Sequence, residues 1–185
     1  MRRALPVLAL LLAIAFPVAM QSLDQVYYVT MASRILIYAL AATSLNLVLG
    51  YGGMISFGHA AFVGAGAYTA SVMIVEGLTS AWIGWPLAMA VSGLLALAVG
   101  AISLRTRGVY FIMITLAFAQ MIYYLTISMK AYGGDEGLTL AQRASPGFGL
   151  DLKDDIAFYY VVLAILAAAI YLVSRLVNAR FGRVI

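Results

Sequence analysis

Residues 35–75 read ILIYALAATSLNLVLGYGGMISFGHAAFVGAGAYTASVMIV and contain no Asp, Glu, Lys or Arg. A helix needs about 20 apolar residues to cross roughly 30 Å of hydrocarbon, so this run is long enough for two crossings. The sequence GYGG at 50–53 divides the run, because closely spaced glycines do not hold a regular helix. We therefore predict one membrane helix on each side of this break.

Uncharged runs on both sides of this stretch extend the same pattern. The predicted spans are 4–20, 28–49, 60–75, 85–104, 110–129 and 156–173. Arg34 lies inside the second span, where its long side chain can reach the interface. The first span follows Arg2-Arg3 and resembles a secretory signal, but we interpret it as a retained helix because several spans follow. The sequence predicts an all-α integral membrane protein with about six transmembrane helices in a single domain, residues 1–185.

The composition excludes a soluble domain. Of the 185 residues, 65% are hydrophobic and only 10% are charged, and the mean hydropathy is +1.03. A soluble domain typically has about a quarter of its residues charged. The chain also contains no cysteine, which excludes a disulfide framework and a thiolate metal site.

The charged residues predict the orientation of the spans. With a cytoplasmic N-terminus, the cytoplasmic side receives Arg2, Arg3, Arg105, Arg107, Arg175, Arg180 and Arg183. The outside receives Lys130, Arg143, Lys153 and all seven acids, namely Asp24, Glu76, Asp135, Glu136, Asp151, Asp154 and Asp155. This distribution satisfies the positive-inside rule.

The glycine-rich break and the helix after it contain the candidate functional residues. Backbone that is not helical at membrane depth must be buried in protein or line a cavity, and broken helices lie beside the substrate path in many transporters. The substrate-path candidates are therefore Gly52, Gly53, Ser56, Gly58 and His59. His59 is the only histidine, and either a packing hydrogen bond or a substrate or proton role would fit it.

Small residues recur at spacings of about four in the third span. This spacing lets helix backbones approach closely in a membrane. The helix-packing candidates are Ala60, Gly64, Gly66 and Ala67. No predicted span contains an acid, and no Gly-Lys-Ser/Thr follows the glycines, so the residues predict no catalytic group, no nucleotide-binding loop and no metal site.

Four ordered blocks resemble permease subunits of branched-chain amino acid ABC importers of the LivM type. The blocks are NLVLGYGGMISFGHAAFVGAGAY at 46–68, LRTRGVYFIMITLAFA at 104–119, GGDEGL at 133–138 and RFGR at 180–183. The resemblance implies a multi-pass protein of the bacterial inner membrane that has no cofactor of its own. It also implies three kinds of partner: a homologous second permease subunit, cytoplasmic ABC ATPases, and an external amino-acid-binding protein that delivers leucine, isoleucine or valine.

Two alternatives to this function remain open. Related permeases that carry urea, short amides or other amino acids share these blocks. Members of the family also continue past the FGR stretch into the cytoplasmic segment that meets the ATPase. The resemblance therefore implies that residues 1–185 correspond to the N-terminal part of a permease, as a fragment, half of a split gene or a non-transporting remnant.

Overall fold

The structure, a computed structural model, describes residues 4–23, 25–140 and 154–179. Within these ranges the chain forms six α-helices and no β-strand. The helices are α1 (Ala4–Ser22), α2 (Val26–Asn46), α3 (His59–Val75), α4 (Ala81–Ser103), α5 (Val109–Ser128) and α6 (Asp155–Asn178). A π-helical turn, Leu47–Tyr51, continues α2, and a 3₁₀ turn, Lys130–Tyr132, follows α5.

Each of the six helices overlaps one of the six predicted spans, which confirms the all-α membrane fold. Four of them are long and apolar enough to cross a membrane: α2 with its π-helical turn, α4, α5 and α6. Leu10–Ser22 of α1 and the whole of α3 are apolar but shorter. At 17 residues, α3 stands at the lower limit of about 17–25 residues for a transmembrane helix.

Two helices differ from their predicted bounds by several residues. Helix α4 begins at Ala81 and includes Pro86, whereas the predicted span begins at residue 85. A proline near the start of a helix removes few backbone hydrogen bonds, so five residues of α4 fit before it. Helix α6 continues to Asn178 because its last turn, with Arg175, keeps helical geometry beyond the apolar stretch that defined the span.

The chain divides into two compact units, and the first comprises Met1–Ser44 and Asp151–Ile185. Its core is formed by the buried side chains of Val29, Tyr159 and Leu163. The Tyr159 hydroxyl donates a hydrogen bond to the Ala13 carbonyl at 2.9 Å, which joins α6 to α1. The Thr30 hydroxyl donates to the Asp155 carboxylate at 3.0 Å and joins α2 to α6.

The second unit, Leu45–Leu150, contains the glycine-rich break and helices α3, α4 and α5. Helix α3 packs along α4, and the Ser92 hydroxyl of α4 donates to the Phe62 carbonyl of α3 at 2.8 Å. Residues 52–58, between the π-helical turn and α3, are not helical, as the glycine spacing predicts. This unit therefore contains both sets of candidate residues.

Several predictions concern residues outside the described part of the chain. They are the sides assigned to Arg2, Arg3, Asp24, Arg143, Asp151, Lys153, Arg180 and Arg183, and the RFGR block. The single domain over residues 1–185 stays a prediction.

Candidate functional site

A cavity of about 450 Å³ lies between α3 and α5, and we refer to it as the α3–α5 cavity. Its volume lies within the range of about 300–1,000 Å³ that is usual for small-molecule sites. The lining residues are Phe57, Ala60, Ala61, Gly64, Ala65, Tyr68, Leu116, Ala119, Gln120, Ile122, Tyr123 and Thr126. None of these side chains carries a formal charge at neutral pH.

The cavity extends along the apolar faces of α3 and α5, parallel to the helices. From Leu116 to Thr126 it follows α5 for about 15 Å at 1.5 Å per residue, roughly half of a 30 Å hydrocarbon core. Close backbone contact marks one end, where a Cβ at Gly58 would stand 2.7 Å from the Thr115 carbonyl oxygen. At the other end the Tyr68 hydroxyl donates a hydrogen bond to the Tyr132 carbonyl at 3.0 Å.

The packing candidates divide between two faces of α3. Gly66 and Ala67 face α4, where a Cβ on Gly66 would stand 3.8 Å from the Ser92 Cβ. Ala60 and Gly64 instead line the α3–α5 cavity. Apart from its chain neighbours and the backbone of its own helix, no heavy atom in the described residues lies within 4 Å of the position that a Gly64 Cβ would occupy. Gly66 thus lies in a helix contact, and Gly64 borders open space.

The five substrate-path candidates do not converge on one cavity. Gly53 lines a second cavity of about 370 Å³, together with Arg107 and Gly108, and we call this one the loop cavity. Gly52 lies against its own preceding turn, since a Cβ there would meet the Val48 carbonyl oxygen at 2.6 Å. Gly58 is buried against α5. Their role in a substrate path stays a prediction.

Four of the five substrate-path candidates line neither of these cavities: Gly52, Ser56, Gly58 and His59. Ser56 and His59 are both half-buried. His59 is the first residue of α3, directly after the buried Gly58. The distinction between a packing histidine and a substrate-contacting histidine therefore remains open.

The backbone of the break explains two of its glycines. A Cβ at Gly50 would stand 2.6 Å from the Asn46 side-chain oxygen, because Asn46 folds over the π-helical turn. Gly53 has a φ of +61°, in the left-handed region that residues with a Cβ rarely adopt. The Gly53 backbone allows the chain to leave α2 and return as α3 within seven residues, 52–58.

Sequence reasoning did not single out the polar residues of the α3–α5 cavity. They are Tyr68, Gln120, Tyr123 and Thr126. Gln120 could have been identified from the sequence, because it is the only amide in the apolar sequence of α5 and lies near the middle of that helix. Polar side chains at such a depth usually serve helix association or transport.

The α3–α5 cavity offers hydrogen-bonding groups and an apolar surface to a ligand. Among the described residues, its lining contains no histidine, cysteine or carboxylate. In the part of the chain that the structure describes, no group of three or more His, Asp and Glu side chains is placed to hold a metal ion. The arrangement suits a small molecule that is partly apolar and partly polar.

The proteins that this chain resembles are transport permeases, which is consistent with a cavity that binds a small molecule. A family model described as "Branched-chain amino acid transport system / permease component" matches residues 27–185. The chain is 28% identical, over 199 residues, to the high-affinity branched-chain amino acid transport system permease protein LivM of Salmonella typhimurium strain LT2. It is also 28% identical, over 203 residues, to the protein of the same name from Escherichia coli strain K12.

Both alignments cover 94% of this chain but only 45% of the relative. The chain thus spans a little less than half the length of these curated relatives. No solved structure gives a significant match.

Proposed function

This chain belongs to the family of branched-chain amino acid transport permease components, and on that premise we propose that it forms part of the membrane pathway of an ATP-driven importer for leucine, isoleucine and valine. It is a multi-pass membrane protein, and the proposal assigns it to the bacterial inner membrane with a cytoplasmic N-terminus. In this proposal the chain lines part of the substrate path and catalyses no reaction.

The observation that carries this proposal is the α3–α5 cavity. A neutral amino acid has a zwitterionic head and, in this class, a branched aliphatic side chain. The cavity offers a mainly apolar lining, several uncharged hydrogen-bonding groups and no formal charge. A lining of this kind accepts an aliphatic side chain without desolvating a fixed charge.

The energy source and the remaining subunits are proposed from the family. Movement of the substrate requires the cavity to alternate between two accessible states, and a coupled free-energy source must bias that equilibrium. We assign this source to ATP hydrolysis on separate cytoplasmic subunits. An external binding protein would deliver the amino acid, and a homologous second permease subunit would complete the path.

Uptake by the complete importer that contains this chain tests the function. The companion permease, the ATPase subunits and the binding protein are reconstituted with the chain in proteoliposomes. We expect ATP-dependent uptake of labelled leucine, isoleucine and valine, and none when the ATPase carries a substitution that blocks hydrolysis. Uptake of urea or short amides without uptake of leucine would contradict the cargo and favour the related importers.

A further inference from the structure

We infer that Gln120 and Tyr123 of α5 bind the zwitterionic head of the transported amino acid, while the wall formed by Ala60 and Gly64 of α3 accommodates its branched side chain. This inference rests on the proposed function and deepens it, because it assigns recognition of the substrate to particular residues of the α3–α5 cavity.

The first argument is the hydrogen-bonding state of Gln120. Its side chain is exposed and makes no hydrogen bond within the described residues. The threonine and serine side chains of α5 behave differently: Thr115, Thr126 and Ser128 donate to carbonyls of their own helix. An amide at membrane depth is unfavourable without a partner, so Gln120 requires a group from outside this unit.

The second argument is that Tyr123 offers a matching group on the same side of α5. Residues three apart on a helix are neighbours, and Gln120 and Tyr123 both line the cavity. The Tyr123 hydroxyl makes no hydrogen bond within the described residues, and 56% of the side chain is exposed. The hydroxyls of Tyr68 and Thr126, by contrast, already donate to carbonyl oxygens.

Together the amide and the phenol complement a zwitterion. The amide oxygen and the phenol oxygen can accept hydrogen bonds from an ammonium group, which has three donors and no acceptor. The amide NH₂ and the phenol O–H can donate to a carboxylate, which only accepts. Uncharged partners bind both ends of the head and favour neither a pure cation nor a pure anion.

The third argument concerns the opposite wall. Ala60 and Gly64 lie one helical turn apart on α3 and carry at most a methyl group. The space at Gly64 is open to at least 4 Å within the described residues. A branched aliphatic side chain fits such a wall, and a larger residue at position 64 would exclude longer substrates before shorter ones.

A transmembrane helix of the companion permease is the competing occupant, since small residues and amides also favour helix association. The ends of the cavity argue against it. Backbone contact between Gly58 and Thr115 narrows one end, and the hydrogen bond from Tyr68 to Tyr132 spans the other. A membrane-spanning helix needs a groove that continues past both ends, whereas a small molecule does not.

The experiment compares initial uptake rates of leucine and valine by the complete importer at saturating binding protein. The variants are Gln120→Met, Tyr123→Phe and Gly64→Val, with Gly100→Val as the matched control. Gly100 lies in α4, outside the lining of the α3–α5 cavity, and its Cβ position is equally open: beyond its own helix, no heavy atom of the described residues lies within 4 Å. Assembly with the companion permease is measured by co-purification.

Uptake of leucine by the wild-type importer tests the proposed function alone. If the wild type takes up no leucine, the proposed function is wrong; the inference is tested only by comparing variants of an active importer. In an active importer, Gln120→Met should lower both rates about tenfold or more, and Tyr123→Phe should lower both by a smaller factor. Gly64→Val should lower the leucine-to-valine rate ratio roughly tenfold, and Gly100→Val should leave the ratio unchanged.

Two results would overturn the inference. One is an active importer in which Gln120→Met and Tyr123→Phe keep wild-type rates and Gly64→Val keeps the wild-type ratio. The other is loss of the companion permease from the purified complex on Gln120→Met or Tyr123→Phe, which would identify the cavity as a subunit contact. If Gln120→Met does not accumulate in the membrane, Tyr123→Phe and Gly64→Val decide the question by the same criteria.

Discussion

The hydroxyl of Tyr68, on α3, donates a hydrogen bond to the backbone carbonyl of Tyr132 at 3.0 Å. Tyr132 lies in the 3₁₀ turn after α5, and its own hydroxyl donates to the Glu76 carboxylate at 2.9 Å. Since Tyr68 also lines the α3–α5 cavity, the segment after α5 is tied directly to one end of that cavity. Two hydrogen bonds therefore join α3 and its C-cap residue Glu76 to the turn that follows α5, and one of them involves a residue of the cavity.

Replacing Tyr68 by Phe should loosen this segment. The substitution removes one hydrogen bond, worth about 1 kcal/mol, and keeps the ring. We expect faster hydrogen exchange of the backbone amides at 130–138 and a slightly lower melting temperature in detergent. Tyr171→Phe is the control, because that hydroxyl makes no hydrogen bond in the part of the chain that the structure describes. Equal amide exchange rates at 130–138 in Tyr68→Phe and Tyr171→Phe would contradict a stabilising role for the hydrogen bond from Tyr68 to Tyr132.

The Tyr132–Glu76 pair predicts a response to alkaline pH. The hydrogen bond to the Glu76 carboxylate, followed by its negative charge, raises the pKa of Tyr132 above the ordinary 10.0. A raised tyrosine pKa means that the neutral phenol is favoured in the folded state. The resulting stabilisation is complete below pH 10 and is lost as the pH rises through the higher folded value.

Phenolate absorbance measures this shift. The chain has 12 tyrosines, so the difference between the titrations of the wild type and Tyr132→Phe isolates Tyr132. In the Glu76→Gln background the same difference should titrate at lower pH, closer to 10. Identical curves in both backgrounds would show that Glu76 has no influence on this phenol.

Gly58 should be far less tolerant of alanine than Gly100. A Cβ at Gly58 would stand 2.7 Å from the Thr115 carbonyl oxygen, which is backbone and cannot rotate away. Overpacking of this kind destabilises by about 1–3 kcal/mol. Gly58→Ala should therefore lower the melting temperature in detergent, and Gly100→Ala should leave it nearly unchanged. Equal melting temperatures would mean that α3 and α5 separate at this contact without penalty.

The predicted orientation can be tested with single cysteines, since the chain has none of its own. Arg105 and Thr139 are both exposed and lie on opposite sides of α5 in the sequence. An impermeant thiol reagent added to intact cells should label Thr139→Cys, and Arg105→Cys only after permeabilisation. The reverse labelling pattern would show that the predicted topology is inverted. Ser103 would be a poor reporter because only 1% of its surface is exposed.

The helices were predictable because hydropathy is a property of consecutive residues. The third span, for example, was predicted at 60–75 and is observed as His59–Val75. The break at residues 50–53 was also predictable, because glycine spacing acts locally on the backbone. Such features require no knowledge of which residues face one another.

The cavity could not be predicted in the same way. Ala60, Gly64, Gly66 and Ala67 are all small, and spacing alone does not show which of them contact α4 and which face open space. That division depends on the rotation of α3 about its axis, which α4 determines through contacts such as Ser92 with Phe62. Gln120 is likewise only a polar residue in an apolar helix until its neighbours across the cavity are known.

The π-helical turn at Leu47–Tyr51 constrains how this chain can change in length. Its hydrogen bonds join residues five apart in the sequence, whereas those of an α-helix join residues four apart. The Gly52 amide, for example, donates to the Leu47 carbonyl at 3.2 Å. The turn therefore contains one residue more than an α-helical turn. Deleting one residue here would restore a regular helix and rotate the following segment by about 100°. We therefore expect natural variants of this chain to accept substitutions at Leu47, Val48, Leu49 and Tyr51 but no insertions or deletions in this turn.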